Sequence, residues 1–264
     1  MGEIEAYLNK IRESIEPTDR QIQNIQDRLD RLRETIDAFD CAISVEGLSR
    51  KSYIHGSWKR HTIIRKSQDL SWDVDLIVIM GFFVRHWSPR SLHTDIEKPL
   101  SKLSTLKRNL GAYSDRIIPT QDYPCVILNY QSDNFNLEIM PVLITDNEYY
   151  FDSTEAFQRQ NCGYTPQDKF RIFLIPNPIQ RNEWMYTRPF VFEKELSETN
   201  SQYDGMVVPS IKILKHWNNT HGRNLRSYEI ERYINFFFDT QANIVGLSHS
   251  PYFEDIIRKW FLFT

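Results

Sequence analysis

The sequence predicts an α/β (α+β) fold, with a small mixed sheet, helices packed on it and a helical C-terminal lobe. Three observations carry that prediction. Trp72–Met80 and Phe135–Ile144 are short, almost wholly apolar runs, as expected of strands buried on both faces. Residues 18–39 instead repeat apolar side chains every three or four positions, the helical period. Two prolines in Ile175–Pro178 interrupt regular structure, and the text that follows is mainly helical.

In chain order, Thr18 and Gln21 fit a capping box that opens the first helix, with Pro17 just before it. Ile22, Ile25, Leu29, Leu32 and Ile36 then form one apolar stripe for packing on the sheet. Tyr53–Ser57 begins the sheet-bearing core, and Trp72–Met80 is its first strand to carry candidate acids. Pro89–Asn109 is helical in pattern, with Ile96, Leu100, Leu103 and Leu106 on one side. Tyr123–Tyr130 and Phe135–Ile144 read as two strands joined by the turn-rich residues 131–134. Ser153–Lys169 has no periodicity and reads as loop. Residues 1–174 thus form an N-terminal helix and core, and residues 175–264 a helical lobe. Two helices are expected in that lobe. Met206–Trp217 places Ile211, Leu214 and Trp217 on one face, and Ser227–Phe237 turns Tyr228, Ile230, Tyr233 and Ile234 inward.

Composition narrows the function. At 264 residues the chain is one large domain or two closely joined lobes. A net charge of −3 gives no broad basic field, which argues against a dedicated nucleic-acid binder. No apolar run approaches the roughly 18 residues of a membrane span, and the N-terminus is too charged for a signal peptide. No membrane association and a cytoplasmic location are expected. Cys41, Cys125 and Cys162 show neither metal spacing nor a disulfide framework and read as reduced thiols. The seven histidines form no metal-ligand pair.

The chemistry concentrates in His55–Met80. In a strand, residues i and i+2 point to one face, so Asp73 and Asp75 project side by side. Adjacent carboxylates resist joint ionisation unless a cation sits between them, and a divalent metal on phosphate oxygens is the usual resolution. Glu138, the one charged residue of Asn134–Ile144, is the candidate third ligand if its strand lies beside the first; Asp133, in turn chemistry, is the fallback. Gly56 and Ser57 form the turn that brings backbone N–H groups to a phosphate, and Thr62 braces it. Lys59, Arg60, His61 and Arg65 make its flank basic. Trp58 and Tyr113 are candidates for stacking on a base or for core packing.

Gly56-Ser57, Thr62, Asp73-x-Asp75 and Glu138 resemble the core of the polymerase-β-like nucleotidyltransferases. More narrowly, GSWKRHT, DVDLIVI, LEIMP, IPNP, and IKILKHWN followed by SYEIE resemble the bacterial cGAS/DncV-like nucleotidyltransferases, related to animal cGAS and oligoadenylate synthetases, over roughly residues 1–235. The resemblance implies a polymerase-β-like core. It implies two Mg²⁺ (or Mn²⁺) ions held by Asp73, Asp75 and Glu138, and triphosphate contacts from Gly56 and Ser57. Lys212 and Lys215 lie three apart on one helix and are both placed at the nucleotide; the family's Lys-x-Trp stretch singles out Lys215. Ser227 matches the serine opening the next helix, where it would cap the helix, reach phosphate, or both. Glu231 is expected to be structural. The implied activity joins NTPs into a cyclic or linear oligonucleotide messenger in anti-phage defence, read by a separate effector protein. The His/Cys zinc insertion of animal cGAS has no match, so no nucleic-acid activator is expected. Two alternatives stand beside this: transfer of one NMP to a protein, tRNA or small molecule, and a catalytically weak nucleotide-sensing module.

Overall fold

The computed structural model describes residues 3–45, 49–64, 72–82, 97–113, 118–131, 135–145, 172–222 and 225–240. The expectations for Arg65, Ile96, Asp133, residues 153–169 and Cys162, and for the ring of Tyr113, fall outside what is described.

Helices α1 (Glu3–Ile15) and α2 (Asp19–Asp37) lead the chain. The Thr18 hydroxyl accepts the Gln21 N–H and the Gln21 side chain accepts the Thr18 N–H, so the capping box forms as read. Ile25, Leu29, Leu32 and Ile36 are buried. Ile22, in the first turn, remains 42% exposed, so the packed stripe begins one step later than the sequence suggests. After β1 (Ser52–His55) and the single turn α3 (Gly56–Lys59) come β2 (Trp72–Phe82) and α4 (Pro99–Tyr113). On α4, Leu103, Leu106 and Leu110 are buried, whereas Leu100 is largely exposed. Strands β3 (Thr120–Asp122), β4 (Cys125–Tyr130) and β5 (Phe135–Thr145) follow, then β6 (Ile172–Pro176) and β7 (Trp184–Thr187).

These strands form one mixed sheet in the order β1-β2-β5-β4-β3. The central β2–β5 pair is parallel and the other pairings are antiparallel. β6 joins β5 at Leu143–Thr145, beyond the stretch of β5 that β4 covers. Trp72, Val74, Leu76, Val78 and Met80 face α2 and α4 in the main core. On the other face, Ile77 and Ile79 meet Val142, Ile144 and Phe173. β2 is therefore apolar on both faces beyond Asp75, which explains its unbroken hydrophobic run.

The expected division at residue 175 falls within β6. IPNP spans the end of β6 and the start of the β6–β7 turn, in which the Asn177 side chain accepts the N–H groups of Ile179 and Gln180. Helices begin at Pro189: α5 (Pro189–Gln202), α6 (Val207–Thr220) and α7 (Ser227–Thr240). Leu196, Val207, Ile211, Leu214, Ile230, Ile234, Phe237 and Phe238 form their common core. Tyr228 and Tyr233 are 52% and 64% exposed rather than inward, and Phe237 and Phe238 take that place. At 3.6 residues per turn, both tyrosines lie about 100° or more from the centre of the buried arc. The chain also returns on itself, because α1 packs on α6 through Leu8 and Ile213. Among the described residues, no helix is long and apolar enough to cross a membrane.

Candidate active site

The site begins at the end of β1, where the chain turns sharply into α3. Gly56 has φ +71°, a conformation open to glycine and strained for other residues. A Cβ there would lie 1.7 Å from Asp75 Oδ2 and 2.5 Å from Asp75 Cγ. Glycine is thus required twice, by backbone conformation and by the carboxylate pressed against its Cα. Gly56→Ala is expected to displace the Asp75 carboxylate and abolish activity, with a loss of stability of about 1–3 kcal/mol from the forced backbone. Kinetics and chemical denaturation check both parts; a native-like rate in the alanine variant would separate the turn from the chemistry.

Strand pairing brings the acids together. His55 pairs with Asp75, and Asp75 with Glu138, so the three form one row across β1, β2 and β5. Asp73 lies on the same face two residues away, opposite Asn136, whose side-chain amide donates to it at 3.3 Å. Burial pushes the Asp75 carboxyl up to about 6; His55 and Arg60 pull it down, while Asp73 and Glu231 add to the rise. An acid so buried beside another is stabilised as an anion by a nearby cation, and an all-oxygen donor set suits a hard divalent ion. Among the described residues, no three His, Cys, Asp or Glu side chains are gathered into a ready-made metal cage. The strand register is what makes Asp73, Asp75 and Glu138 neighbours. A pocket of about 130 Å³ opens beside this row, lined by His55, Asp75 and Glu138 together with Phe173, Thr187 and Pro189.

The opposite side of the turn is closed by a buried charged cluster. Glu231 of α7 is fully buried. Its Oε1 accepts the Ser57 hydroxyl (3.3 Å), the Thr62 hydroxyl and the Lys215 ammonium, and its Oε2 accepts Arg60 Nε at 2.7 Å. Lys215 Nζ also donates to Ser57 Oγ and to the Thr62 carbonyl, both at 3.1 Å. Burial holds the Lys215 pKa below its ordinary value against the pull of Glu231. Burial by itself would raise Glu231, but the charges of Lys215 and Arg60, with the bonds from Lys215 and Thr62, outweigh it and hold the carboxyl below its usual range.

The structure therefore brings Gly56, Ser57, Asp73, Asp75, Glu138 and Lys215 to one region. It turns Lys212 away from that region and leaves Ser227 exposed. Lys212 is turned toward α1 and pairs with Glu16 at 2.6 Å; the helical rotation over three residues carries its ammonium away from Ser57. Ser227 is exposed as the first residue of α7 and does not cap it. The Ile230 N–H bonds to the Arg226 carbonyl, which makes Arg226 the cap, and the Glu229 side chain accepts the Arg226 N–H. Trp58 packs against the main core, Lys59 lies over the Tyr53 ring, and Arg60 is buried rather than part of an open basic flank.

Sequence reading missed Glu193 on α5, which accepts the Tyr53 hydroxyl and bonds His55 Nδ1 at 2.9 Å. It also missed the four donors that converge on Glu231. Glu193 is 138 positions from His55, and three of the four donors to Glu231 lie more than 160 positions from it, so no local pattern announces these contacts.

The model of the Second Messenger Oligonucleotide or Dinucleotide Synthetase domain matches residues 3–162. A curated probable cyclic nucleotide synthase of Bacillus cereus (strain VD146) is 26% identical over 193 residues, spanning 70% of this chain and 55% of the relative. This chain thus spans about half the length of that relative. Escherichia coli MS115-1 CdnC, solved with ATP, superposes with a TM-score of 0.60 at 14% identity, over 92% of this chain and 66% of that one. Escherichia coli DncV in a 3′-deoxy GTP bound form gives 0.58 at 14% identity, over 89% and 73%. At such identities the likeness is one of fold.

Proposed function

The chain belongs to the Second Messenger Oligonucleotide or Dinucleotide Synthetase family, the bacterial cGAS/DncV-like nucleotidyltransferases, and from that membership we propose that it joins NTPs into a cyclic or linear oligonucleotide messenger. The observation that carries the reading is the in-register row of Asp75 and Glu138 against the Gly56-Ser57 turn, with Lys215 bonded to Ser57. Ser57 and Lys215 hold the phosphates of the incoming NTP, and Gly56 lets the backbone come close to them. Asp73, Asp75 and Glu138 hold divalent ions, Mg²⁺ or Mn²⁺, in a two-ion arrangement. Ions held there would supply activation of the acceptor hydroxyl and charge stabilisation of the pyrophosphate leaving group. The product is a second messenger in anti-phage signalling, acting on a separate effector protein, with no nucleic-acid activator required.

The test is mass spectrometry of the products formed from all four NTPs with Mg²⁺ or Mn²⁺. A free oligonucleotide supports the reading. Label transferred from NTP to a macromolecule would favour single-NMP transfer instead.

Glu138→Gln is expected to lower turnover by at least about a hundredfold while leaving NTP binding within about threefold, because an acid that acts on the reacting groups contributes mainly in the transition state. Steady-state kinetics and calorimetric NTP titration read the two effects separately. Native turnover would remove Glu138 from the chemistry.

A further inference from the structure

Glu231 does more than brace two lobes. Resting on the reading of this site as a triphosphate site, we propose that Glu231 is a positioning residue, which sets Ser57 and Lys215 at the spacing that the phosphates of an NTP require. Three observations support this. First, one oxygen of a fully buried carboxylate accepts from both Ser57 and Lys215, which also bond each other at 3.1 Å. Neither phosphate-holding group can shift without breaking a bond to Glu231. Second, the carboxylate serves two cations at once, Arg60 and Lys215, whose side chains are 5% and 3% exposed. Both charges also act on the Asp75 carboxyl, so Glu231 fixes Arg60 and Lys215 relative to the acidic row as well as to the glycine turn. Third, Arg60 Nη1 is buried with no hydrogen-bond partner among the described residues, while its Nε is held by Glu231 and its guanidinium lies over the Phe192 ring at 5.4 Å. An anion entering beside the pair would meet this donor.

A brace and a positioning residue make different predictions. Removing a brace lowers stability and leaves substrate affinity alone. Displacing a positioning carboxylate weakens NTP binding even in a well-folded chain. Glu231→Asp keeps the charge and shortens the reach by one methylene, so it cannot meet Arg60 on one side and Ser57, Thr62 and Lys215 on the other.

The experiment compares the full chain with Glu231→Asp by steady-state kinetics, calorimetric titration with Mg·ATP, and thermal melting. The expected result is a KM raised about tenfold with kcat within about threefold, and a matching loss of Mg·ATP affinity. A native KM with a lowered melting temperature would show a brace and overturn the proposal, as would a fall in kcat at unchanged KM. Should Glu231→Asp fail to fold, Thr62→Val decides. It removes one donor to the carboxylate at constant volume and charge, and a KM rise of about threefold is expected; an unchanged KM overturns the proposal. If the unaltered chain neither turns over NTPs nor binds Mg·ATP, the nucleotide reading itself fails. If it does both and Glu231→Asp keeps the native KM, only the positioning role fails.

Discussion

Asp75→Asn is expected to abolish nucleotide transfer and, in chelator-treated buffer at neutral pH, to be more stable than the unaltered chain. The two effects share one cause. The Asp75 carboxyl is held at about 6, against an ordinary value of 3.8, chiefly by burial. A carboxyl whose pKa rises on folding favours the protonated folded state, so ionising it costs stability. That cost grows as pH rises from about 4 to about 6 and is constant above; at the usual conversion it amounts to about 2–3 kcal/mol. Asparagine pays none of it. Denaturation of both chains without metal should therefore show a gap in favour of the variant at pH 7.5 that closes near pH 4. A gap independent of pH would mean that Asp75 is ionised without penalty. Asp73→Asn is expected to abolish transfer as well, from the same strand face. Near-native turnover in either variant would take that carboxylate out of the chemistry.

Lys215→Met and Lys212→Met should behave differently although the residues sit three apart on one helix. Lys215→Met takes one of two cations from a fully buried carboxylate. Breaking a buried pair from one side costs about 3–5 kcal/mol of stability, and the lost phosphate contact should raise KM by about tenfold or more. Lys212→Met loses a pair in which the lysine is buried but the glutamate is 38% exposed, so a smaller stability loss than for Lys215→Met is expected, with no change in KM. Parallel melting and kinetics on the two variants check this. An equal KM effect would mean that α6 acts as a whole helix on the nucleotide rather than through one ammonium.

What could be read in the sequence was whatever local spacing encodes. The period-two placement of Asp73 and Asp75, the apolar runs of β2 and β5 and the Thr18–Gln21 box all appear as expected, because each depends on residues within a few positions of one another. The pairing of β2 with β5 was expected only conditionally, since nothing local in either strand names its neighbour. The prolines at 176 and 178 were read as a boundary. Pro176 is the last residue of β6, beyond its pairing with β5, so the sheet continues through β7. Lys212 is assigned by its helix face, but a long side chain goes where its charge is met, and Glu16 directly follows a helix, α1, that the sequence reading does not identify. Glu231 was read as structural, and its four donors come from two segments far apart in the chain.

That last separation bears on how the protein comes into being. Ser57 and Glu231 are 174 residues apart, and Thr62 and Glu231 are 169 apart. During synthesis the acidic strands and the glycine turn emerge early, yet the carboxylate that gathers the turn's hydroxyls and both cations is translated long afterwards. A nascent or prematurely terminated chain can thus pair its sheet and still lack the contact that joins Ser57 to Lys215.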